Sequence, residues 1–313
     1  YLTQAGNVAY FLANDGVHGE ELWITDGTEG GTRMVADIAP DAADSFANPR
    51  VGADGSLFFS AIDGEHGFEP WFTDGTEGGT RMLADLVEGS ENSNVGNAYF
   101  APDGTLYCFA DNNVHGSEPY IADPGGLNFR LLKEINPEAA GSNPGEFFFY
   151  KDRVYFRANS NVIGTEMWVT DGTTDGTVPF RDIEGASGSY TLPTLLGDTL
   201  IFAASTPETG LEPFRTDGTA EGTALILDVY PGAERGFDGS PVVFQDMIYF
   251  RGDDGVNGST LWRTDGTAEG TAMVRKISVI STSSNPHALT TLGDQVIFAA
   301  EDGAGTDALW ASD

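Results

Sequence analysis

Three of the four histidines, His18, His66 and His115, recur at one place in a repeating pattern. Imidazole is a common metal ligand, and several on one ion would suit zinc at bond lengths of about 2 Å. Their spacing argues against a shared ion, because each falls in a separate repeat and the later repeats carry Ile163, Thr209, Asn257 and Gly305 there. A turn role is expected for them. The 48 carboxylates are so numerous that two could stand at acid–base distance by chance, and no pattern singles out a catalytic pair. Short acidic turns, Asn14-Asp15-Gly16, Asp63-Gly64 and Asp253-Asp254-Gly255, offer oxygen ligands that would suit Ca2+, although none follows the 12-residue EF-hand pattern. There is no Gly-rich phosphate loop with Lys, no nucleophile elbow and no paired-cysteine motif. No catalytic or cofactor-binding residue is assigned, no cofactor is required, and the metal site is left open, with Ca2+ the one candidate ion.

The charge balance narrows the partners. With 48 acidic against 15 basic residues the formal net charge is -33, which repels phosphate backbones, so neither nucleic acid nor an anionic membrane is an expected partner. A membrane span is not expected either, since no apolar run approaches the roughly 20 residues required. Cys108 is the single cysteine, so no internal disulfide can form, and it takes the place held elsewhere by Phe11, Phe59, Phe156, Phe202, Phe250 and Phe298. It reads as a small buried hydrophobe. Tyr1 opens in mid-pattern without initiator Met or signal peptide, as expected of a chain processed or excised from something longer.

These residues hang on a repeat. Glu21 to Thr32, Glu-Leu-Trp-Ile-Thr-Asp-Gly-Thr-Glu-Gly-Gly-Thr, returns at Glu69, Glu166 and Glu212 and more loosely at Glu118, Thr260 and Ala308. Its Asp recurs at Asp26, Asp74, Asp123, Asp171, Asp217, Asp265 and Asp313, at intervals of 48, 49, 48, 46, 48 and 48 residues, in the range of propeller blades and solenoid units. With 41 Gly and 15 Pro, long helices are excluded and an all-β chain is predicted.

Each repeat reads as four short strands, in the first about 1–4, 8–13, 21–25 and 33–38. The second is almost continuously apolar, as in Tyr10-Phe11-Leu12-Ala13, and should be covered on both faces. The third carries an aromatic in every repeat (Trp23, Trp71, Tyr120, Trp168, Phe214, Trp262 and Trp310), which reads as packing between blades. Small residues on the second strand, Ala13 to Ala300 with Gly252 in the sixth repeat, are placed to leave room for that ring. Gly19, Gly67, Gly116, Gly164, Gly210 and Gly258 share one site between strands two and three, predicting a left-handed backbone. The Asp of Asp-Gly-Thr should accept backbone N–H groups two residues on.

From the second-strand residue (Tyr10, Phe58, Tyr107, Tyr155, Ile201, Tyr249, Ile297) to the repeat Asp the distance is 16 in all seven repeats, so strands two to four form a meander of fixed register. Length varies only between the fourth strand and the next second strand. The loops there, 39–48, 87–94, 136–144, 184–189, 230–239 and 278–285, share a face with the turns between strands two and three.

The motif resembles the ELWxxDGT repeat family, whose consensus Glu-Leu-Trp-x-x-Asp-Gly-Thr-x-x-Gly-Thr runs on into a Val-x-Asp-Ile strand. Residues 21–38 match almost throughout, and 69–86 and 166–183 match with a few substitutions. The third repeat departs most, with Pro124-Gly125 after Asp123 and Asn128-Phe129 in place of the later Gly-Thr. The resemblance implies an extracellular or surface protein of bacteria, with no catalytic residue to carry over. The turn also looks loosely like the Asp box of sialidases, by position alone.

Together these readings predict one domain, 1–313, a seven-bladed β-propeller of four-stranded repeats (about 1–38, 47–86, 95–135, 143–183, 190–229, 238–277 and 286–313) whose last blade lacks its fourth strand. The expected function is an extracellular or cell-surface binding and scaffolding module, for adhesion or assembly, meeting protein or surface glycan through the loops after the fourth strands, as part of a longer polypeptide or surface assembly. A propeller enzyme, a hydrolase or lyase acting on polysaccharide in a central pocket, is the alternative. Arg251-Gly252-Asp253 spells an adhesion tripeptide but aligns with Arg157-Ala158-Asn159 at a strand end, and Asn257-Gly258-Ser259 is both a formal glycosylation acceptor and a tight turn.

Overall fold

Alternating turn signals and apolar strands fold as a series of antiparallel meanders. The computed structural model describes residues 2–40, 46–137, 141–180, 193–277, 283–302 and 306–313, with backbone alone at 46–48. Among them there are only strands and turns, and no helix long and apolar enough to cross a membrane. Sheet 1 contains β1 (Leu2–Ala5), β2 (Val8–Asn14), β3 (Glu20–Thr25) and β4 (Arg33–Met34). Sheet 2 contains β5 (Phe46–Val51), β6 (Leu57–Ala61), β7 (Glu69–Thr73) and β8 (Arg81–Met82), and sheet 3 contains β9 (Gly96–Phe100), β10 (Leu106–Asp111), β11 (Ser117–Asp123) and β12 (Leu127–Leu131). Sheet 4 has β13 (Gly145–Tyr150), β14 (Arg153–Ser160), β15 (Gly164–Thr170) and β16 (Val178–Pro179). Sheet 5 has β17 (Thr194–Leu196), β18 (Thr199–Thr206), β19 (Gly210–Thr216) and β20 (Ala224–Leu225). Sheet 6 has β21 (Phe237–Phe244), β22 (Met247–Asp253), β23 (Ser259–Thr264) and β24 (Ala272–Arg275), and sheet 7 has β25 (His287–Leu292), β26 (Gln295–Glu301) and β27 (Asp307–Ser312). Strands pair in sequence order in every sheet, six of four strands and the seventh of three.

The chain packs as two compact units, one of Tyr1–Asn161 with Met167–Pro179 and one of Val162–Glu166 with Phe180–Asp313. In the first unit β1 lies beside β5, β5 beside β9 and β9 beside β13; in the second, β17 lies beside β21 and β21 beside β25. Successive sheets of a unit therefore meet along their first strands. The apolar second strands fill the space between sheets: Leu57, Phe59 and Ala61 of β6 close one core with Tyr10, Leu22 and Ile24 of sheet 1, and Trp71 packs against it. In the second unit Phe237, Ile248 and Phe250 of sheet 6 pack with Ile201 and Ala203 of sheet 5, and Trp262 joins them. The third-strand ring stands opposite a second-strand ring, with Phe59–Trp71 at 6.4 Å and Phe250–Trp262 at 6.5 Å between centroids. The small residue beside it is required: a Cβ on Gly252 would fall 2.7 Å from the Trp262 ring. Cys108 is fully buried in this layer, and burial pushes its thiol pKa far up.

Two expectations need correction. The fourth strand, read as 33–38, pairs only over Arg33–Met34, and it is equally short in sheets 2, 4 and 5. Beyond it Val35 donates once to the Leu22 carbonyl, after which a side chain takes over the N–H groups that a longer ladder would use. Gly67 does not share the left-handed backbone of Gly19, Gly116, Gly164, Gly210 and Gly258. It is needed instead because a Cβ there would overlap the Glu91 carbonyl.

The Asp-Gly-Thr turn recurs almost atom for atom in sheets 1, 2, 4, 5 and 6. In the first, Asp26 Oδ1 accepts the N–H of Thr28 at 2.9 Å and its hydroxyl at 2.7 Å, Thr28 Oγ1 accepts the N–H of Gly31, and Thr32 donates to the Thr28 carbonyl. These bonds, the hydroxyl first, hold the Asp26 carboxyl below its ordinary pKa. Gly31 has a different office from Gly27: Gly27 is left-handed at φ 89°, whereas a Cβ on Gly31 would overlap the Asp26 carboxylate. Scarce cations tie these turns together. Arg33 donates to the Gly75 carbonyl at 2.6 Å, Arg81 to Gly125 at 2.6 Å and Arg215 to Gly266 at 3.1 Å, in each case reaching the turn of the next sheet.

Candidate functional site

A glutamate on an otherwise apolar strand is the base of the site. Glu21, Glu69, Glu118, Glu166 and Glu212, the first residue of the repeat motif, are all 0% exposed. A buried carboxylate needs donors, and here the backbone after the fourth strand supplies them. Glu21 accepts the N–H groups of Ile38 (3.2 Å) and Ala39 (2.9 Å), Glu118 those of Ile135 (3.1 Å) and Asn136 (2.9 Å), and Glu212 those of Val229 (2.9 Å) and Tyr230 (3.1 Å). Glu69 takes Leu86 at 3.0 Å. Burial raises the pKa of Glu69 and Glu118 and pushes Glu212 up to about 7, with Asp228 adding to the rise and the N–H donors opposing it.

The far end of each loop is fastened too. The N–H groups of Ser93, Ser142, Gly236 and Ser284 donate to the carbonyls of Phe68, Ser117, Leu211 and Ser259. The Ser93, Ser142 and Ser284 hydroxyls join the same carbonyls across 25 residues each time. The loop after the fourth strand is therefore an arch of constant span in these sheets, differing in side chains and not in length. The length variation expected between the fourth strand and the next second strand therefore does not fall in these arches. Variation sits instead in the turn between strands one and two: two residues in sheet 1 (Gly6, Asn7), but a wider turn in sheets 2 and 3, closed by Gly52 N–H to the Ser56 carbonyl and Ala101 N–H to the Thr105 carbonyl. Residues 41–45, 138–140 and 278–282, and the whole 184–189 loop, lie outside the described residues.

The arches after sheets 2, 3 and 5 also touch the next sheet. Asn113 Nδ2 donates to Glu91 at 2.9 Å and Asn161 Nδ2 to Asn136 at 2.7 Å, and the Tyr230 ring lies where a Cβ on Gly255 would come within 2.8 Å. Arches and strand-two-to-three turns thus form one face of each sheet, as the alternation of strand direction requires. On its turns Val17, Val114, Val162 and Val256 occupy the same repeat position and are strongly exposed.

The histidines lie on this face and remain one per sheet. His18 Nδ1 meets Asp15 at 2.7 Å, His66 meets Asp63 at 2.8 Å, and His115 meets Glu134 at 2.6 Å. The Asp15 and Asp63 hydrogen bonds raise the pKa of His18 and His66. Among the described residues no group of three or more His, Cys, Asp and Glu is placed to hold a metal ion. The acidic turns bind their own backbone: Asp63 accepts the N–H groups of Glu65 and His66, and Asp254 those of Val256 and Asn257. Arg251 of the adhesion-like tripeptide is paired with Asp238. Asn257 is occupied by Asp254 at 2.7 Å.

First strands carry the remaining irregularity. The register of β5, β9, β13, β21 and β25 shifts by a bulge near their starts, and Asn97, Glu146, Gly239 and Ala288 are left-handed at those bulges. Bulges re-aim side chains. In the first unit a cavity of about 350 Å³ opens between β5 and β9, with Arg50 and Asn97 among its walls. In the second, about 280 Å³ lies between sheets 6 and 7, against Val274, Phe298 and Trp310. The sequence carried a signal for the glutamates, a carboxylate recurring in an apolar strand; it carried none for the bulges, which follow no shared residue type.

No family model matches the chain, and no curated protein sequence matches it. Among solved structures it is similar to a puromycin-hydrolyzing peptidase of Mycobacterium tuberculosis (13% identity, TM-score 0.48, covering 100% of this chain and 51% of that one). It is also similar to prolyl endopeptidases (11%, 0.48, covering 99% and 49%). A third is the β-propeller domain of the Trilobed protease from Pyrococcus furiosus (12%, 0.44, covering 100% and 94%). The chain spans about half the length of the two peptidases. Likeness at this level passes on no residue role.

Proposed function

We propose that the seven sheets are blades of a β-propeller that works outside the cell as a binding and scaffolding module, with the arches and the neighbouring turns as its recognition face. The resemblance of the repeat to the ELWxxDGT family supports the extracellular placement. The observation that carries the binding role is the double fastening of the arches after sheets 2, 3 and 5. A buried glutamate holds its start and a strand-three carbonyl holds its end, so the side chains between, such as Glu88 and Glu91 or Glu234 and Arg235, are displayed at constant span on a rigid frame. Binding residues tend to reside on loops held by such scaffolds, and pre-ordered loops bind with less loss of conformational entropy.

Replacing 88–91 and 231–235 by Gly/Ser residues removes the displayed side chains while leaving the fastening residues and the strands in place. Binding to immobilised surface polysaccharides and surface proteins, measured by biolayer interferometry, should fall in that protein. Unchanged binding would remove the assignment.

A further inference from the structure

Among the described residues, the wall of the cavity between β5 and β9 carries the one cation of its unit left without a partner. Arg33, Arg81 and Lys133 donate to turn carbonyls, Arg130, Arg153 and Arg157 pair with carboxylates, and Lys151 lies over the Tyr150 ring. Arg50 alone makes no hydrogen bond or ion pair among the described residues, in a chain with 48 acids to 15 bases. None of the carboxylates among the described residues is placed on it.

The backbone is shaped around that guanidinium. The bulge between Ala47 and Arg50 interrupts the β5 ladder, and across the cavity β9 bulges with Asn97 left-handed at φ 48°. Gly96 keeps the space open, because a Cβ there would stand 2.8 Å from the Phe109 ring. Gly145 of β13 similarly leaves room for the Asn97 amide. The result is a cavity of about 350 Å³ with the exposed Arg50 and Asn97 on its walls beside Phe109, Val95 and Ala98. That volume is at the small end of ligand pockets, of roughly 300–1,000 Å³, and suits a single ring.

Resting on the proposed recognition role, we infer that this cavity binds a uronic acid residue of an anionic glycan. The planar carboxylate matches the guanidinium fork, the Asn97 amide can serve a ring hydroxyl, and the apolar wall takes the C–H face of the sugar. A singly charged carboxylate also enters the field of a -33 molecule at less cost than a phosphate dianion.

Titration calorimetry of the full chain with glucuronate, glucose, acetate and inorganic phosphate separates the contributions. Glucuronate should bind more tightly than the other three. Arg50→Ala should weaken it on the order of tenfold or more, as expected for loss of a charge-assisted hydrogen bond. Gly96→Ala should obstruct it with the charge intact, and Asn97→Gly, which keeps the left-handed backbone, should weaken it less than Arg50→Ala. Thermal melts confirm that each variant folds. Absence of glucuronate binding, equal binding of acetate, glucose or phosphate, or an unchanged Arg50→Ala protein would overturn the inference. The scaffold role is judged separately: a protein with only residues 231–235 replaced should still bind glucuronate, and loss of macromolecular binding there without any glucuronate binding by wild type would retain the scaffold and discard the uronate.

Discussion

Glu212→Gln is the sharpest test of how the arches are held. The side chain is 0% exposed and its pKa is pushed up to about 7 by burial, against an ordinary value of 4.5. That difference corresponds to about 3 kcal/mol. Below about pH 4.5 the folded and unfolded chains both hold the proton, and the contribution to stability is complete. As pH rises from 4.5 to 7 the unfolded chain releases its proton and the folded chain keeps it, so stability falls across that window and levels off above it. Glutamine keeps the shape and cannot titrate. It should cost about 1–3 kcal/mol at pH 5, where its NH2 faces a backbone donor. The gap to wild type should then narrow or invert by about 3 kcal/mol at pH 8. Urea unfolding followed by tryptophan fluorescence at pH 5, 6, 7 and 8 measures this directly, and Glu69 and Glu118, raised in the same direction, cancel in the difference. Parallel pH curves for the two proteins would show that the N–H donors outweigh burial and would refute the reasoning. On the acid side the turn carboxylates act oppositely: Asp26, Asp171 and Asp265 have lowered pKa values, so their contribution is present above their ordinary value of 3.8 and is lost as pH falls through the folded values.

The close approach in the Asp-Gly-Thr turn gives a paired test: Gly31→Ala should destabilise by about 1–3 kcal/mol, through overlap with Asp26, whereas Gly30→Ala, with nothing within 4 Å of its Cβ, should stay within about 0.5 kcal/mol. Thermal melts that shift equally would reject the steric account. Sodium chloride should raise the melting temperature smoothly by screening the net charge of -33, and calcium at matched ionic strength should add nothing further. A saturable, chelator-reversible calcium step would instead make the acidic turns ligands.

Much of the fold was legible in the residue pattern because its determinants are local. An apolar second strand, an aromatic third strand and an Asp two residues before its own backbone donor specify a meander whatever surrounds it, and Tyr10, Trp23 and Asp26 behave in the structure as their neighbours in sequence require. Turn glycines were only half legible. Gly27 is needed for its backbone angle, which sequence conveys, while Gly31, Gly67 and Gly96 are needed because another atom stands where a Cβ would be. That is a property of the packed chain. The same holds for the glutamates: their recurrence was visible, but the donors lie 17 and 18 residues away, and only the folded arch brings them to the carboxylate. Arg50 marks the limit. Nothing in its sequence neighbourhood distinguishes it from the other cations, and it borders a cavity because two bulged strands of different repeats place Arg50 and Asn97 on the walls of one space, a juxtaposition that tertiary structure alone decides.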